Sequence, residues 1–509
     1  LTGATGLVGR YLVRDLLLDG HRLALLVRPS QKQSARERGE VLLQMWEREL
    51  DCSLPRPICL EGDVTEPGCG LSSAACRWAA EHCDRVIHNA AVLTFNTDQA
   101  GEPWRTNVEG TRNLLQLCKK LKLHDLHYVS TAYVCGLREG RILENELDKG
   151  QKFRNDYEVS KFQAEQMVRQ ADFLDCLTVY RPAVIAGDSR TGYTSTYHAL
   201  YLYLKLVAVM LQNEQPDANG MRETAIRLKA TGDEARNIVP VDWVSAVMCR
   251  LFNTPAAEGG TYHLAPRAPL TTREFIDFTS SYFKTEGVQY VSPDTVLDAD
   301  GTDFEKYAYA NSSIYQSYAT TDPTFDTTNL RKFTADLPCP KLDEAMLHRF
   351  AKYGEQDRWG KRRPEKPVVE FWAGEYLQGT VAPHARHASS ERRRWIGLDI
   401  SGPGGGQWGL MLSGATPLAL EQGLPGHCAA ILKLSNTEFL ELVRGQTGWP
   451  ARALKQALRP VGQLIGAELV HSVLLALFPA SVEPVPALPT NGHAPVDPMN
   501  SPVRVSAKE

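Results

Sequence analysis

The chain of 509 residues lacks any run approaching the roughly 20 apolar residues that cross a bilayer as a helix, so no membrane span is expected. It also lacks a basic excess. Lys and Arg number 56 against 60 Asp and Glu, a net charge of −4, which leaves no electrostatic footprint for nucleic acid. Paired cysteines are missing too. None of the 11 falls in a C-x-x-C spacing, and the loose group Cys52, Cys59, Cys69, Cys76 and Cys83 fits neither a zinc site nor a small disulfide scaffold. No metal site is therefore expected, and the thiols, Cys135 included, read as small buried hydrophobes in a reducing compartment. No secretory leader is visible. Only Leu1 precedes a glycine-rich turn where a first strand would normally stand, so the recorded sequence is expected to be truncated there. A hydrophobic fraction of 43% is ordinary for a soluble protein, and the length allows two or three domains.

What is present begins at once. Thr2-Gly-Ala-Thr-Gly-Leu-Val-Gly9 runs into a helical pattern that closes at Gly20. Gly3 permits a tight turn, Gly6 lets a pyrophosphate approach the backbone, and Gly9 lets the helix pack on a sheet. The helix N-terminus offers free N–H groups and a positive dipole end to phosphates. Thr2, Gly3, Thr5, Gly6, Leu7, Val8 and Gly9 are thus candidate dinucleotide contacts. Residues 21–27 form a continuous apolar run suited to a parallel strand buried on both faces. The run ends at Arg28, where NAD enzymes usually place an acid; arginine pairs with a 2′-phosphate, so NADP(H) is expected, with NAD(H) as the alternative.

Further pieces follow in the order of a doubly wound sheet. Asp63 and Val64 end the third strand, with Asp63 placed for the adenine. Residues 85–91 are a fourth strand running into Asn89, Ala90 and Ala91, where a cofactor can pass close to the backbone. Asn107 opens the helix before the fifth strand, residues 127–134, which carries hydroxyls at its end. Tyr157-Glu-Val-Ser-Lys161 comes next, and a sixth strand over 180–186 contains Pro182 and Val184. Tyr157 and Lys161, four apart, share one face of a helix. A phenol at its ordinary pKa of about 10 exchanges protons poorly near neutrality, and a neighbouring ammonium lowers that value.

With these residues the chain resembles an extended short-chain dehydrogenase/reductase. More narrowly it is similar to the branch of fatty acyl-CoA reductases (male-sterility type) and thioester reductase domains. The narrower resemblance rests on His88-Asn-Ala-Ala-Val-Leu-Thr-Phe-Asn96, Asn107-Val-Glu-Gly-Thr111 and Val129-Ser-Thr-Ala-Tyr-Val134, and covers about residues 1–365, weakening after Pro182. It implies an α/β Rossmann-type doubly wound parallel sheet with a smaller substrate lobe from about residue 187. It also implies Tyr157 as general acid or oxyanion donor, Lys161 on the nicotinamide ribose, and Thr131 as the catalytic hydroxyl, with Ser130 as a substitute.

Beyond the sheet, residues 197–211 form a strongly apolar helix, read as core, with an acyl tunnel wall or a lipid-docking surface as the functional alternative. Residues 238–247 should return to the sheet, and 271–283 and 342–353 read as helices of the substrate lobe. A basic, proline-containing stretch suggests a linker over 366–394. Alternating runs at 395–400 and 408–412, another at 427–434, and a capping box from Ser435 to Glu438 then mark a separate α+β domain over 395–480. It resembles a sterol-carrier-protein-2-like lipid-binding domain, with residues 470–478 as its terminal helix. Residues 481–509, rich in Pro, Val, Ala and Ser, read as a disordered tail.

The resemblance implies an NADP(H)-dependent reductase of an acyl thioester, either acyl-CoA or carrier-bound, giving an aldehyde or, on further reduction, an alcohol. The alternatives on the same scaffold are a nucleotide-sugar epimerase or dehydratase, a sterol dehydrogenase, and a non-catalytic NADP sensor fused to a lipid carrier. The partner expected is a hydrophobic small molecule rather than nucleic acid. The expected location is cytoplasmic, with peripheral lipid contact as an option.

Overall fold

A computed structural model describes residues 1–292, 294–295, 301–312, 318, 320–362, 366–381, 393–444, 458–460, 469, 472–473 and 476–478. The tail expected over 481–509 and much of the terminal helix expected over 470–478 lie outside these. The chain divides into two compact units, Leu1–Val369 and Glu370–Glu509.

The first unit is built on a parallel sheet. Strand β1 (Ala24–Val27) pairs with β2 (Ile58–Glu61), and β3 (Arg85–His88), β4 (Asp125–Val129), β5 (Cys176–Pro182) and β6 (Thr261–Leu264) continue side by side in that order. Thr2 joins the two halves through parallel bridges to Leu26 and His88. The apolar runs that suggested two-sided burial are covered on both faces. On one face Leu12 and Leu16 of α1 (Leu7–Leu18) meet Val244 and Val247 of α2 (Val241–Phe252) over Ile87, Val129 and Tyr180. On the other, Leu114, Leu117 and Leu121 of α3 (Gly110–Leu121) pack with Ala164 and Val168 of α4 (Asp156–Arg169) over Val86, Leu126 and Val179. Helix α3 begins at Gly110, a few residues after Asn107.

Two expected strands are shorter than their apolar runs. The fifth ends at Val129, and residues 132–135 form a tight helical turn whose first amide, of Tyr133, bonds the Thr131 hydroxyl. The sixth splits after Pro182: Val184–Ala186 leaves the main sheet and pairs in parallel with Ile238–Pro240.

The substrate lobe packs the apolar helix Leu200–Met210 against Thr272–Phe283 and Glu344–Gln356, around Leu204, Leu347 and Phe350. It also contains a parallel strand pair, Arg222–Lys229 with Thr285–Val291, that the sequence did not suggest. Among the described residues no helix is long and apolar enough to cross a membrane.

In the second unit Arg393–Ser401 lies between Gly406–Ser413, antiparallel to it, and Ala430–Ser435, parallel to it; Thr416–Gln422 and Leu458–Pro460 flank them. The capping box at Ser435 and Glu438 is formed, and it starts the helix Asn436–Val443. The segment expected to be a bare linker contributes to this core. Ala373, Leu377 and Val381, spaced by four, lie on one helical face and are buried with Ile396, Leu398 and Phe439.

Candidate active site

At the C-terminal ends of the strands a cavity of about 700 Å³ opens between the sheet and the substrate lobe. Its floor is the opening turn. Gly3 has φ +67°, and a Cβ there would lie 2.7 Å from the backbone of Asn89 and Ala90. A Cβ on Gly9 would lie 2.1 Å from the Gly3 carbonyl oxygen, so helix and turn meet with no room for a side chain. Gly6 caps α1 without any side-chain hydrogen bond to the first turn, which leaves that end suited to an anion.

Gly3, Thr5, Gly6, Leu7, Val8, Arg28, Asp63, Val64, Asn89, Ala90, Ala91, Thr131, Tyr157, Lys161, Pro182 and Val184 all line this cavity. Three expected contacts do not. Thr2 turns its hydroxyl to His88 Nδ1 (2.8 Å) and takes the amides of Asn89 and Ala90, so it ties the turn to β3. Gly9 serves the helix packing just described. Asn107 clamps Val92, accepting from its amide at 2.9 Å and donating to its carbonyl at 3.1 Å, and it also donates to Ser160 Oγ. These residues shape the cleft from behind, because their polar groups are already taken up within the protein.

The hydroxyl-bearing groups converge. The Thr131 hydroxyl, which donates to the Pro182 carbonyl at 3.4 Å, lines the cavity with the Tyr157 phenol and interacts with it. Burial pushes that phenol up to about 12, with the Glu158 charge adding to the rise and the Thr131 hydroxyl opposing it. The expectation that Lys161 would lower Tyr157 is therefore corrected. Lys161 Nζ instead donates to the Val129 carbonyl at 2.8 Å and to Tyr128 Oη at 3.0 Å. Burial lowers Lys161 to about 7, opposed by Glu165 one turn along the helix. Burial alone would raise Glu165, but Arg181 (2.6 Å), Arg169 (2.8 Å) and the Ser130 hydroxyl (2.6 Å) hold its carboxyl below the ordinary range. Ser130, weighed as a substitute for Thr131, is thus committed to Glu165.

Several wall residues carry no sequence signal. Arg38, from the helix Ala35–Leu50, donates to Thr5 Oγ1 at 3.0 Å and to the Arg28 carbonyl, and it lines the cavity beside Arg28. Burial lowers its guanidinium pKa, and the charges of Arg28 and Arg10 lower it further. Arg28 itself reaches Asp63 at 3.5 Å. On the substrate side stand Phe95, Tyr318 and Tyr133, the last donating to Asp322 at 2.9 Å. Phe95 and Tyr133 lie within the quoted motifs but were given no role there, and Tyr318 lies in a distant segment that no motif marks.

Comparison with known proteins agrees with this geometry. Residues 1–248 match the family model described as male sterility protein, an NAD-binding family. A linear gramicidin synthase chain of Brevibacillus parabrevis is 26% identical over 382 residues, 69% of this chain and 7% of that protein. Isonitrile lipopeptide synthase of Mycobacterium tuberculosis is 31% identical over 291 residues, 52% of this chain and 11% of that protein. The crystal structure of the terminal R domain from the myxalamid PKS-NRPS biosynthetic pathway superposes with TM-score 0.56 at 26% identity, covering 72% of this chain and 91% of that one. The chain spans 7% of the first of these curated relatives and 37% of another, an aldehyde reductase of Aspergillus flavus.

The N-terminal unit is an extended short-chain dehydrogenase/reductase, a Rossmann-type oxidoreductase fold with a nicotinamide dinucleotide site. Within that class it is similar, over residues 1–248, to the male sterility family and, more widely, to the R domain named above.

Proposed function

We propose that this protein reduces acyl thioesters with NADPH, and that Thr131, Tyr157 and Lys161 carry the chemistry. The observation behind this is that Thr131, Tyr157, Lys161 and the glycine turn all line one cavity. The cradle at Gly3 and the uncapped first turn of α1 fit a dinucleotide pyrophosphate. Arg28 and Arg38 fit a 2′-phosphate, because an anion between these cations relieves their mutual repulsion. When bound, the nicotinamide supplies hydride.

The protein's own part is to hold the thioester carbonyl oxygen between the Thr131 hydroxyl and the Tyr157 phenol. As hydride adds to the carbonyl carbon, negative charge develops on that oxygen, and two aimed donors stabilise it more than they stabilise the neutral carbonyl. A phenol with a pKa near 12 stays protonated at neutral pH and so remains a donor. When the carbonyl re-forms, the C–S bond breaks and the thiolate leaves, taking a proton to become thiol. The products are an aldehyde, a thiol and the oxidised cofactor. Lys161, held by Val129 and Tyr128 and lining the same cavity, would grip the ribose and fix the ring.

Similarity to linear gramicidin synthase and to an R domain of a PKS-NRPS pathway supports a carrier-bound thioester as the natural substrate. The apolar substrate lobe, with Leu200, Leu228, Leu270, Phe275 and Ile276 on the cavity wall, favours a hydrophobic acyl group. The second unit is read as an α+β lipid-binding module related to sterol-carrier-protein-2, and displacement of a fluorescent fatty acid from the full chain tests that assignment.

The reductase assignment is tested by mixing the full chain with NADPH and acyl-CoA or acyl-pantetheine thioesters of graded length. Oxidation of NADPH with matching release of free thiol is expected. Protein that binds NADPH yet turns over no thioester of any length would refute it.

A further inference from the structure

The cavity wall holds a buried carboxyl group that the hydride transfer does not use. Asp322 is 9% exposed and lines the same cavity as Thr131, Tyr157 and Lys161. Its Oδ2 accepts from the Tyr133 phenol at 2.9 Å and from the Asn237 amide at 2.8 Å. Its own amide donates to the Ala235 carbonyl at 3.0 Å, so backbone and side chain are both fixed. The other oxygen, Oδ1, takes no hydrogen bond among the described residues, yet it is not sealed off. The open space that Asp322 lines is the cavity.

Burial pushes the Asp322 carboxyl up, while the Asn237 amide, the Tyr133 hydroxyl and the charges of Arg236 and Arg154 oppose the rise. A carboxylate this deeply placed, with one oxygen still to be satisfied, is stabilised by a cation that the ligand itself brings. The wall beside it is aromatic. Tyr133 and Tyr318 meet edge to face with centroids 6.0 Å apart, Phe95 lies 5.5 Å from Tyr318, and Phe95 lies 6.5 Å from the Tyr157 ring. Aromatic faces attract an ammonium through their quadrupole. Arg154, 5.2 Å from the centre of the Tyr318 ring, already uses one of these rings in that way. The group also adjoins the reacting centre, because the Tyr133 amide bonds the Thr131 hydroxyl at 3.3 Å.

We propose that Asp322, with the rings of Phe95, Tyr133 and Tyr318, is a subsite for a protonated amine carried on one of the first few carbons of the acyl group. The inference deepens the reductase reading and rests on it for where the thioester carbon lies. The substrate class is then an aminoacyl thioester, whose apolar remainder meets Leu270, Phe275 and Ile276 on the lobe. A plain fatty acyl chain leaves the carboxylate unpaired beside apolar atoms. N-acylation removes the charge that both the carboxylate and the ring faces select, so it forfeits the same contacts.

The test reads binding rather than turnover. The full chain with NADP⁺ is titrated calorimetrically with octanoyl-pantetheine amides, in which N–H replaces the thioester sulfur so that no reduction follows. Forms bearing an amine on the second, third or fourth carbon are compared with the unsubstituted chain and with their N-acetyl derivatives. One amino form or more should bind at least about tenfold tighter than the unsubstituted chain, and N-acetylation should erase that gain. In Asp322→Asn the amino and unsubstituted forms should bind within about twofold of each other. Wild-type protein that favours no amino form, or that binds the N-acetyl form as tightly, overturns the proposal, and so does an Asp322→Asn variant that keeps the preference. If that variant does not fold, the wild-type comparison decides alone. Thioester reduction without any amine preference refutes this subsite and leaves the reductase reading standing; amine preference without turnover of any thioester does the reverse.

Discussion

Replacing Lys161 by methionine should make the folded protein more stable while it destroys activity, and the gain should depend on pH. Lys161 is 2% exposed, and burial moves its pKa from 10.5 to about 7. At about 1.4 kcal/mol per pH unit, holding a charged ammonium in that position costs about 4–5 kcal/mol relative to the unfolded chain. The folded value lies below the unfolded one, so the unfolded state binds more protons between pH 7 and 10.5. The full cost is felt below pH 7, declines as pH rises through that window, and is gone above it. Methionine removes this cost but forfeits the bonds to the Val129 carbonyl and Tyr128 Oη, about 1–3 kcal/mol together. The net expectation is a gain of about 2–3 kcal/mol at pH 6 that turns into a small loss by pH 10. Urea midpoints of the two proteins across pH 6–10 measure it. A variant that is destabilised at pH 6, or whose difference from wild type is flat with pH, refutes the reasoning that a functional demand keeps this lysine buried.

Tyr157→Phe should lower thioester turnover about 10²–10⁴-fold while leaving NADPH binding within about twofold, checked by fluorescence titration and NADPH oxidation. Arg38→Ala should raise the KM for NADPH about tenfold or more and leave that for NADH nearly unchanged, because only the 2′-phosphate would use the cation. Equal effects on both cofactors would place Arg38 in folding rather than selectivity. Glu165→Gln leaves Arg181 buried without its counter-charge and should cost about 3–5 kcal/mol in urea unfolding. It should also move the Lys161-dependent limb of the pH–rate profile to lower pH, since Glu165 is what supports that ammonium.

Much of the site was legible because it is local. The turn from Gly3 to Val8 and the pair Tyr157 and Lys161 each lie within a few residues, and period and spacing fix their geometry. Thr131 followed from the resemblance and lines the cavity with Tyr157 and Lys161. The less legible part is long-range. Arg38 is one of several arginines along a helix, and only the fold brings it to Thr5. Tyr128 and Glu165 control the Lys161 amine through contacts no spacing reveals, so the lysine was expected to act on Tyr157 and instead faces Val129 and Tyr128. Thr2 and Asn107 were assigned to the cofactor because they sit inside recognisable motifs, yet their polar groups are taken up within the protein. The strand pair Arg222–Lys229 and Thr285–Val291 was missed because its charged and polar residues hide the alternation that marks a half-buried strand.

The split of the sixth strand couples the two sides of the cleft. Pro182 ends β5, and its carbonyl accepts from the Thr131 hydroxyl at 3.4 Å; two residues on, Val184 already pairs with Ile238. Ala183 is the one residue between these two strand pairings. Any tilt of the lobe therefore pulls on the carbonyl that orients the Thr131 hydroxyl. Specificity in such an arrangement would be expressed in the rate of the chemical step as well as in affinity, since a poorly fitting guest misaligns the donor as it binds.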